Sequence, residues 1–130
     1  MGRNTFEQVL TIGEWPYGST PVVVMSRRGI TLPNDIPSSV SVSKESPDDL
    51  VLRLSAQGAQ HFCIDGGLTI QSFLAVRLIH DITITVIPIL LGSGKPLFGP
   101  LPHDVHLTHE ASHVFEFGFV QNKYRVERTG

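Results

Sequence analysis

Apolar and polar positions alternate along the chain in blocks that switch between strand and helix spacing. "PVVVMS" (Pro21 to Ser26) is a continuous β-branched run and reads as a buried strand. "SVSVS" (Ser39 to Ser43) alternates strictly and reads as a short strand. "SPDDLVLRLSAQG" is a helix. Ser46 suits the N-cap, Pro47 the first helical position, and Asp48 and Asp49 the positive end of the dipole. Leu50, Val51 and Leu54 make its apolar face, and Gly58 ends it. "HFCID" reads as the next strand, with Cys63 as a small buried hydrophobe at its middle. "LTIQSFLAVRL" has helical spacing at Ile70, Phe73, Leu74 and Leu78. "DITITVIPILLG" reads as a long strand in which Pro88 marks a bulge or an edge. "VHLTHEASHVFEFG" and "FVQNKYRVER" read as antiparallel strands joined at Phe117-Gly118-Phe119. Near the start, Phe6, Val9 and Leu10 form the inward face of a short helix. This strand-helix-strand order predicts an α/β sheet with helices on its faces.

Composition narrows the class. The 130 residues fit one domain, 1–130, with one core. Apolar residues make up 41% and charged residues 17%, the balance of a soluble globular chain. A net charge of −2 gives no electrostatic case for nucleic acid or an anionic membrane as partner. Cys63 is the one cysteine, so no internal disulfide can form, which points to a reducing, cytoplasmic setting. The longest apolar run, "ITVIPILLG", is too short to span a bilayer, and "MGRNTFEQVL" has no signal-peptide core.

The chemistry begins at "CIDGGLTIQSFL". A strand ending in Asp65, then Gly66 and Gly67, then a helix from about Leu68 is an arrangement that binds phosphate. Free N–H groups point out of the helix start, and the absent Cβ atoms let an anion approach. A tight strand-helix turn with no ligand is the other reading of the same residues. The full GxGxxG dinucleotide fingerprint is missing. "MGRNTFE" places Gly2, Arg3 and Thr5 before a short helix, and "VVVMSRR" places Ser26, Arg27 and Arg28 at the end of a buried strand. Arginine grips phosphate in bidentate fashion, and serine adds a hydroxyl donor. Phosphate-type donors at several strand ends suggest one extended, multiply phosphorylated ligand.

The order MGRxT, a strand ending SR, IDGG before a helix, and "TIxxxPxLLGxGxPLFG" resembles the dihydrofolate reductase-like superfamily. More closely it is similar to stand-alone relatives of the riboflavin-biosynthesis reductase domain, from Met1 to about Glu127. The resemblance implies a central, mainly parallel sheet with flanking helices and a C-terminal antiparallel hairpin. It implies NADPH as cofactor and hydride transfer to a pterin- or pyrimidine-like C=N or C=O group. By position, Gly2, Arg3 and Thr5 would touch the pyrophosphate and ribose side, and Ser26 and Arg27 the adenosine 2′-phosphate. Gly66 and Gly67 would cover the pyrophosphate with Leu68 and Thr69 beside it, and Thr85 would line the substrate pocket. Thr85 also reads as an ordinary strand threonine. No residue is assigned by position as the catalytic acid.

The family begins upstream of MGRxT with a strand and a helix that supply much of the substrate pocket. The expectation is therefore an N-terminally short reductase domain. Three outcomes are open: the strand ending at Asp65 pairs directly with Ile82–Ile87, a second chain lends a strand, or the full protein has more residues upstream. A truncated, non-catalytic NADP-binding module is the alternative function, and a purely structural oligomer subunit a third. The family tends to form two-fold dimers, and "IPILLGSGKPLFG" is apolar enough to pack on a second copy. Asp65 reads as a cap for the glycine loop rather than as an acid, because a carboxylate there would repel a pyrophosphate. His103, His106, His109 and His113 read as scattered surface histidines, and no metal is expected. Trp15 and Tyr17 in "EWPYG" read as a loop staple on the core or as an adenine or partner contact.

Overall fold

The structure, a computed structural model, describes residues 1–128; Thr129 and Gly130 lie outside the described residues. The elements run α1 (Arg3–Leu10), β1 (Val22–Met25), β2 (Val40–Ser43), α2 (Pro47–Ala56), α3 (Gly67–Ala75), β3 (Asp81–Val86), β4 (Leu107–Val114) and β5 (Val120–Val126).

β1 and β2 form a parallel pair in the register Val22↔Val40 to Met25↔Ser43. In β1 the buried positions alternate, Val22 and Val24, as period-2 side chains do, while β2 buries Val40 and Ser43. Phe6 of α1 packs with Val22, Val24 and Val40, and Trp15, Ile30 and Ile36 close over them. Complete burial of side chains of this size contributes ~1.5–3 kcal/mol each. Trp15 meets Phe6 edge-on at 5.9 Å and Tyr17 at 5.1 Å, so the aromatic pair staples its loop to the core. α2 begins as its sequence dictates. Ser46 accepts a hydrogen bond from the Asp49 amide at 3.3 Å, and Gly58, past the C-terminus, has φ +96°.

The second sheet is antiparallel, in the order β3-β5-β4. Glu110 is the extra residue of a bulge in β4, between the pairs His109↔Tyr124 and Ala111↔Lys123. The β4–β5 turn sits where the sequence puts it, with Gly118 at φ +100° and its amide donating to the Phe115 carbonyl at 2.9 Å.

The α/β class holds, but the arrangement of strands differs from a single, mainly parallel sheet. One small sheet is parallel and the other wholly antiparallel, with no ladder between them among the described residues. Phe62–Asp65 is not a strand, and Cys63 is exposed rather than buried. The reason lies in its neighbours. The free edge of β1 is taken by Met1 and Gly2: the Met1 amino group donates to Val23 O at 2.9 Å, and Met25 N donates to Met1 O at 2.8 Å. That stub offers too few consecutive backbone groups to pair a further strand. The expected direct pairing of Phe62–Asp65 with Ile82–Ile87 does not occur: β3 pairs with β5 along its whole length, and its other edge carries no ladder among the described residues. β3 also stops at Val86 rather than running through to Gly92. Pro88 has no N–H for a ladder and biases Ile87 out of register, and a tight turn follows, with Ile89 N donating to Ile87 O at 2.7 Å.

Candidate functional site

Two glycines and two threonines join the starts of α1 and α3. A Cβ on Gly2 would overlap the Thr69 hydroxyl, and a Cβ on Gly66 would overlap the Thr5 hydroxyl. Each helix start thus lies against the other through a glycine facing a threonine. Gly66, the N-cap of α3, has φ +97° and ψ 129°, a conformation open to glycine alone. The first ladder bonds are Phe6 N to Gly2 O at 3.0 Å and Ile70 N to Gly66 O at 2.8 Å. The amides of Arg3, Asn4 and Thr5 and of Gly67, Leu68 and Thr69 precede those bonds and have no intrahelical acceptor. Neither helix has a side-chain cap or an acidic residue in its first turn. The junction therefore gathers positive partial charge from both dipoles.

Asp65 does not cap this turn. Its carboxylate accepts from the Tyr17 hydroxyl at 3.4 Å. Partial burial, then Asp65, raise the Tyr17 pKa above the ordinary phenol value. The sequence reading of Asp65 as a loop cap is corrected accordingly.

The β1 end lies beside the junction, because Met25 bridges to Gly2. Ser26 follows, half-buried, its amide bound to Ser43 O at 3.0 Å, and Gly29 N closes the turn onto Ser26 O at 3.2 Å. Arg27 and Arg28 are exposed on that turn. Arg3 lies 3.7 Å from Glu7 on the outer face of α1.

Lys44 joins this edge and was missed in the sequence, where it stands in a polar connection. A Cβ on Gly29 would lie 3.1 Å from Lys44 Cε and 3.6 Å from its Nζ, which puts the ammonium over the Ser26–Gly29 turn. The neighbouring acid is turned elsewhere. Glu45 takes hydrogen bonds from Arg53 at 2.8 and 3.1 Å and from the Ser43 hydroxyl at 2.8 Å. Arg53, then Ser43, lower the Glu45 pKa below the ordinary carboxylate value. Lys44, Arg27 and Arg28 thus form a basic edge, and Glu45, next to Lys44 in the chain, is occupied by Arg53 and Ser43.

Leu68 is exposed and Thr69 half-buried at the α3 start. Thr85 lies elsewhere, on β3, where its hydroxyl accepts from Gln121 Nε2 at 3.1 Å; no bond ties it to the junction. Among the described residues no group of three or more His, Cys, Asp or Glu converges as a metal site would require. His109 instead bonds Ser112 Oγ at 2.6 Å, and His103 Nδ1 lies 3.1 Å from Asp104 O.

Residues 12–120 match the sequence model of the RibD C-terminal domain. The chain belongs to that family. The match begins after α1 and so does not include Gly2, Arg3 and Thr5. A crystal structure from Shewanella sp. PV-4, of a protein assigned by name to riboflavin biosynthesis, is 39% identical with a TM-score of 0.92. The alignment covers 98% of this chain and 72% of that one. A pyrimidine reductase-like protein from Corynebacterium diphtheriae shares the fold at 17% identity and a TM-score of 0.59, over 83% of this chain and 50% of its own. The uncharacterized protein YwjB of Bacillus subtilis strain 168 is 28% identical over 117 residues, 88% of this chain. This chain spans 66% of the length of YwjB.

Proposed function

We propose that this chain is the cofactor-binding body of a reductase. It holds NADPH across the α1–α3 junction and the basic β1–β2 edge, for hydride transfer to a C=N or C=O group of a pyrimidine- or pterin-like small molecule. The observation that carries this reading is the reciprocal Gly2–Thr69 and Gly66–Thr5 docking, which brings uncapped helix starts together next to Ser26 and Arg27. The donor set fits a dinucleotide. Amides of Arg3–Thr5 and Gly67–Thr69 would hold the pyrophosphate, and Ser26, Arg27 and Lys44 the adenosine 2′-phosphate. NADPH supplies the hydride; the chain supplies orientation and charge. Membership of the RibD C-terminal domain family and the names of the structural relatives support the same reading. Thr85 remains the proposed substrate-side residue. A cytoplasmic location belongs to the proposal; no helix among the described residues is long and apolar enough to cross a membrane. So does a homodimer, packing through the exposed run that holds Ile87, Ile89, Leu90 and Leu91.

The second reading keeps the cofactor and omits the chemistry. It is favoured by Asp65, the carboxylate next to the glycine turn, being engaged by Tyr17.

Calorimetric titration with NADPH and NADH tests the cofactor assignment. NADPH is expected to bind at least tenfold more tightly. A single charge-assisted hydrogen bond of ~1.5–3 kcal/mol is sufficient for that ratio. Arg27→Ala should abolish most of the preference and leave NADH affinity unchanged. Equal affinities in the unmodified chain overturn the 2′-phosphate assignment. NADPH oxidation with a pyrimidine or pterin acceptor separates the two readings: turnover removes the non-catalytic one.

A further inference from the structure

The segment after β3 returns to the first turn of α3 and lies along it. At Gly67 the carbonyl oxygens of Leu97 and Pro96 come within 3.5 and 3.8 Å of the position a Cβ would take. One turn further on, Gln71 Nε2 donates to the same Leu97 carbonyl at 3.3 Å. Gly99 lies against that amide; a Cβ there would sit 2.7 Å from Gln71 Oε1 and 3.1 Å from Cδ. The start of α3 is thus held on one side by the Thr5 and Thr69 contacts and on the other by the segment 96–99. The approach to this seat is exposed from Ile87 to Phe98, with Leu90 99% and Leu91 73% accessible. Few buried contacts therefore oppose its lifting.

We propose that Gln71 is a positioning residue, a latch that seats residues 96–99 as a strap over the Gly67 side of the α3 start. With the strap seated, carbonyl oxygens line that side of Gly67, and their negative ends repel a phosphate approaching laterally. The open route for an anion is then along the helix axis, onto the amides of Gly67 and Leu68. With the strap lifted, the lateral face opens as well. The latch deepens the NADPH reading by giving the same turn a movable wall, and it rests on that reading only for the identity of the ligand.

Amide relaxation measured by NMR tests it in the full chain. Gln71→Met keeps the side-chain length and removes the donor. Gly99→Ala, at a backbone without positive φ, drives a methyl group into the Gln71 amide. Both variants should lower the order parameters of the Leu97, Phe98 and Gly99 amides toward the flexible range, below about 0.6. Order parameters in α2 and in β1–β2 should not change. Unaltered order parameters at 97–99 overturn the latch. So does an equal fall throughout the chain, because that marks general loosening rather than a released strap. In the unmodified protein, added NADPH should shift the amide resonances of residues 67–69. Its failure to do so counts against the cofactor reading, while the variants alone decide the latch.

Discussion

Gly66 meets two demands that no other residue satisfies together. Its φ of +97° with ψ 129° costs any L side chain about 1–3 kcal/mol, and a Cβ would also overlap the Thr5 hydroxyl. Gly67, beside it, has no positive φ, and a Cβ there meets only ordinary contacts at 3.5 Å and beyond. Gly66→Ala is therefore expected to lower stability by at least ~2 kcal/mol, and Gly67→Ala by less than ~0.5 kcal/mol, in urea unfolding. Equal losses would contradict the junction geometry. The sequence named Gly2, Thr5, Gly66 and Thr69, but only as groups facing a ligand. That they also lock onto one another could not be read there, because Gly2 and Thr69 lie far apart in the chain. Lys44 escaped for a similar reason. Only the parallel pairing of Met25 with Ser43 brings it beside the Ser26–Gly29 turn.

Elements with local signals formed where their residues placed them. α2 has Ser46, Pro47 and its first-turn acids in sequence order, and its boundaries need no distant partner. Arg53 of α2 reaches out of the helix to Glu45 at 2.7 Å, and the pair carries a pH signature. Glu45 has a lowered pKa in the folded chain, so the pair stabilises the fold above the ordinary carboxylate value of 4.5. That contribution disappears as pH falls through the lower folded value. In Arg53→Ala, the Glu45 carboxyl followed by NMR should titrate at higher pH than in the unmodified chain; an unmoved titration would contradict the pairing. Strands were less legible than helices, since a strand needs a partner that the sequence does not name. "HFCID" has strand composition, but among the described residues no strand pairs with it, and Met1 and Gly2 occupy the free edge of β1. Cys63 is accordingly exposed. A thiol reagent should modify it in the native protein about as fast as in the unfolded chain; strong protection would restore the buried strand.

At the level of the whole molecule, burial is uneven. Phe6, Val9, Val22, Val24, Val40, Leu50, Phe73 and Leu74 are the buried apolar residues among those described, and none belongs to β3, β4 or β5. The antiparallel sheet is held by its ladders, while the core and the uncapped helix starts belong to the first part of the chain. The α/β class and the closing hairpin were legible because each rests on local spacing or turn chemistry. The division into separate sheets was not, because it depends on which edges find partners in space. The proposed dinucleotide site, at the α1–α3 junction and the β1–β2 edge, lies in the better-buried first part of the chain. The direct test is a titration of the isotopically labelled chain with NADPH, followed amide by amide by NMR. Saturable shifts concentrated at Arg3–Thr5, Ser26–Arg27, Lys44 and Gly66–Thr69 are the predicted result. Shifts centred on β3, β4 and β5, or none at saturating NADPH, would contradict it.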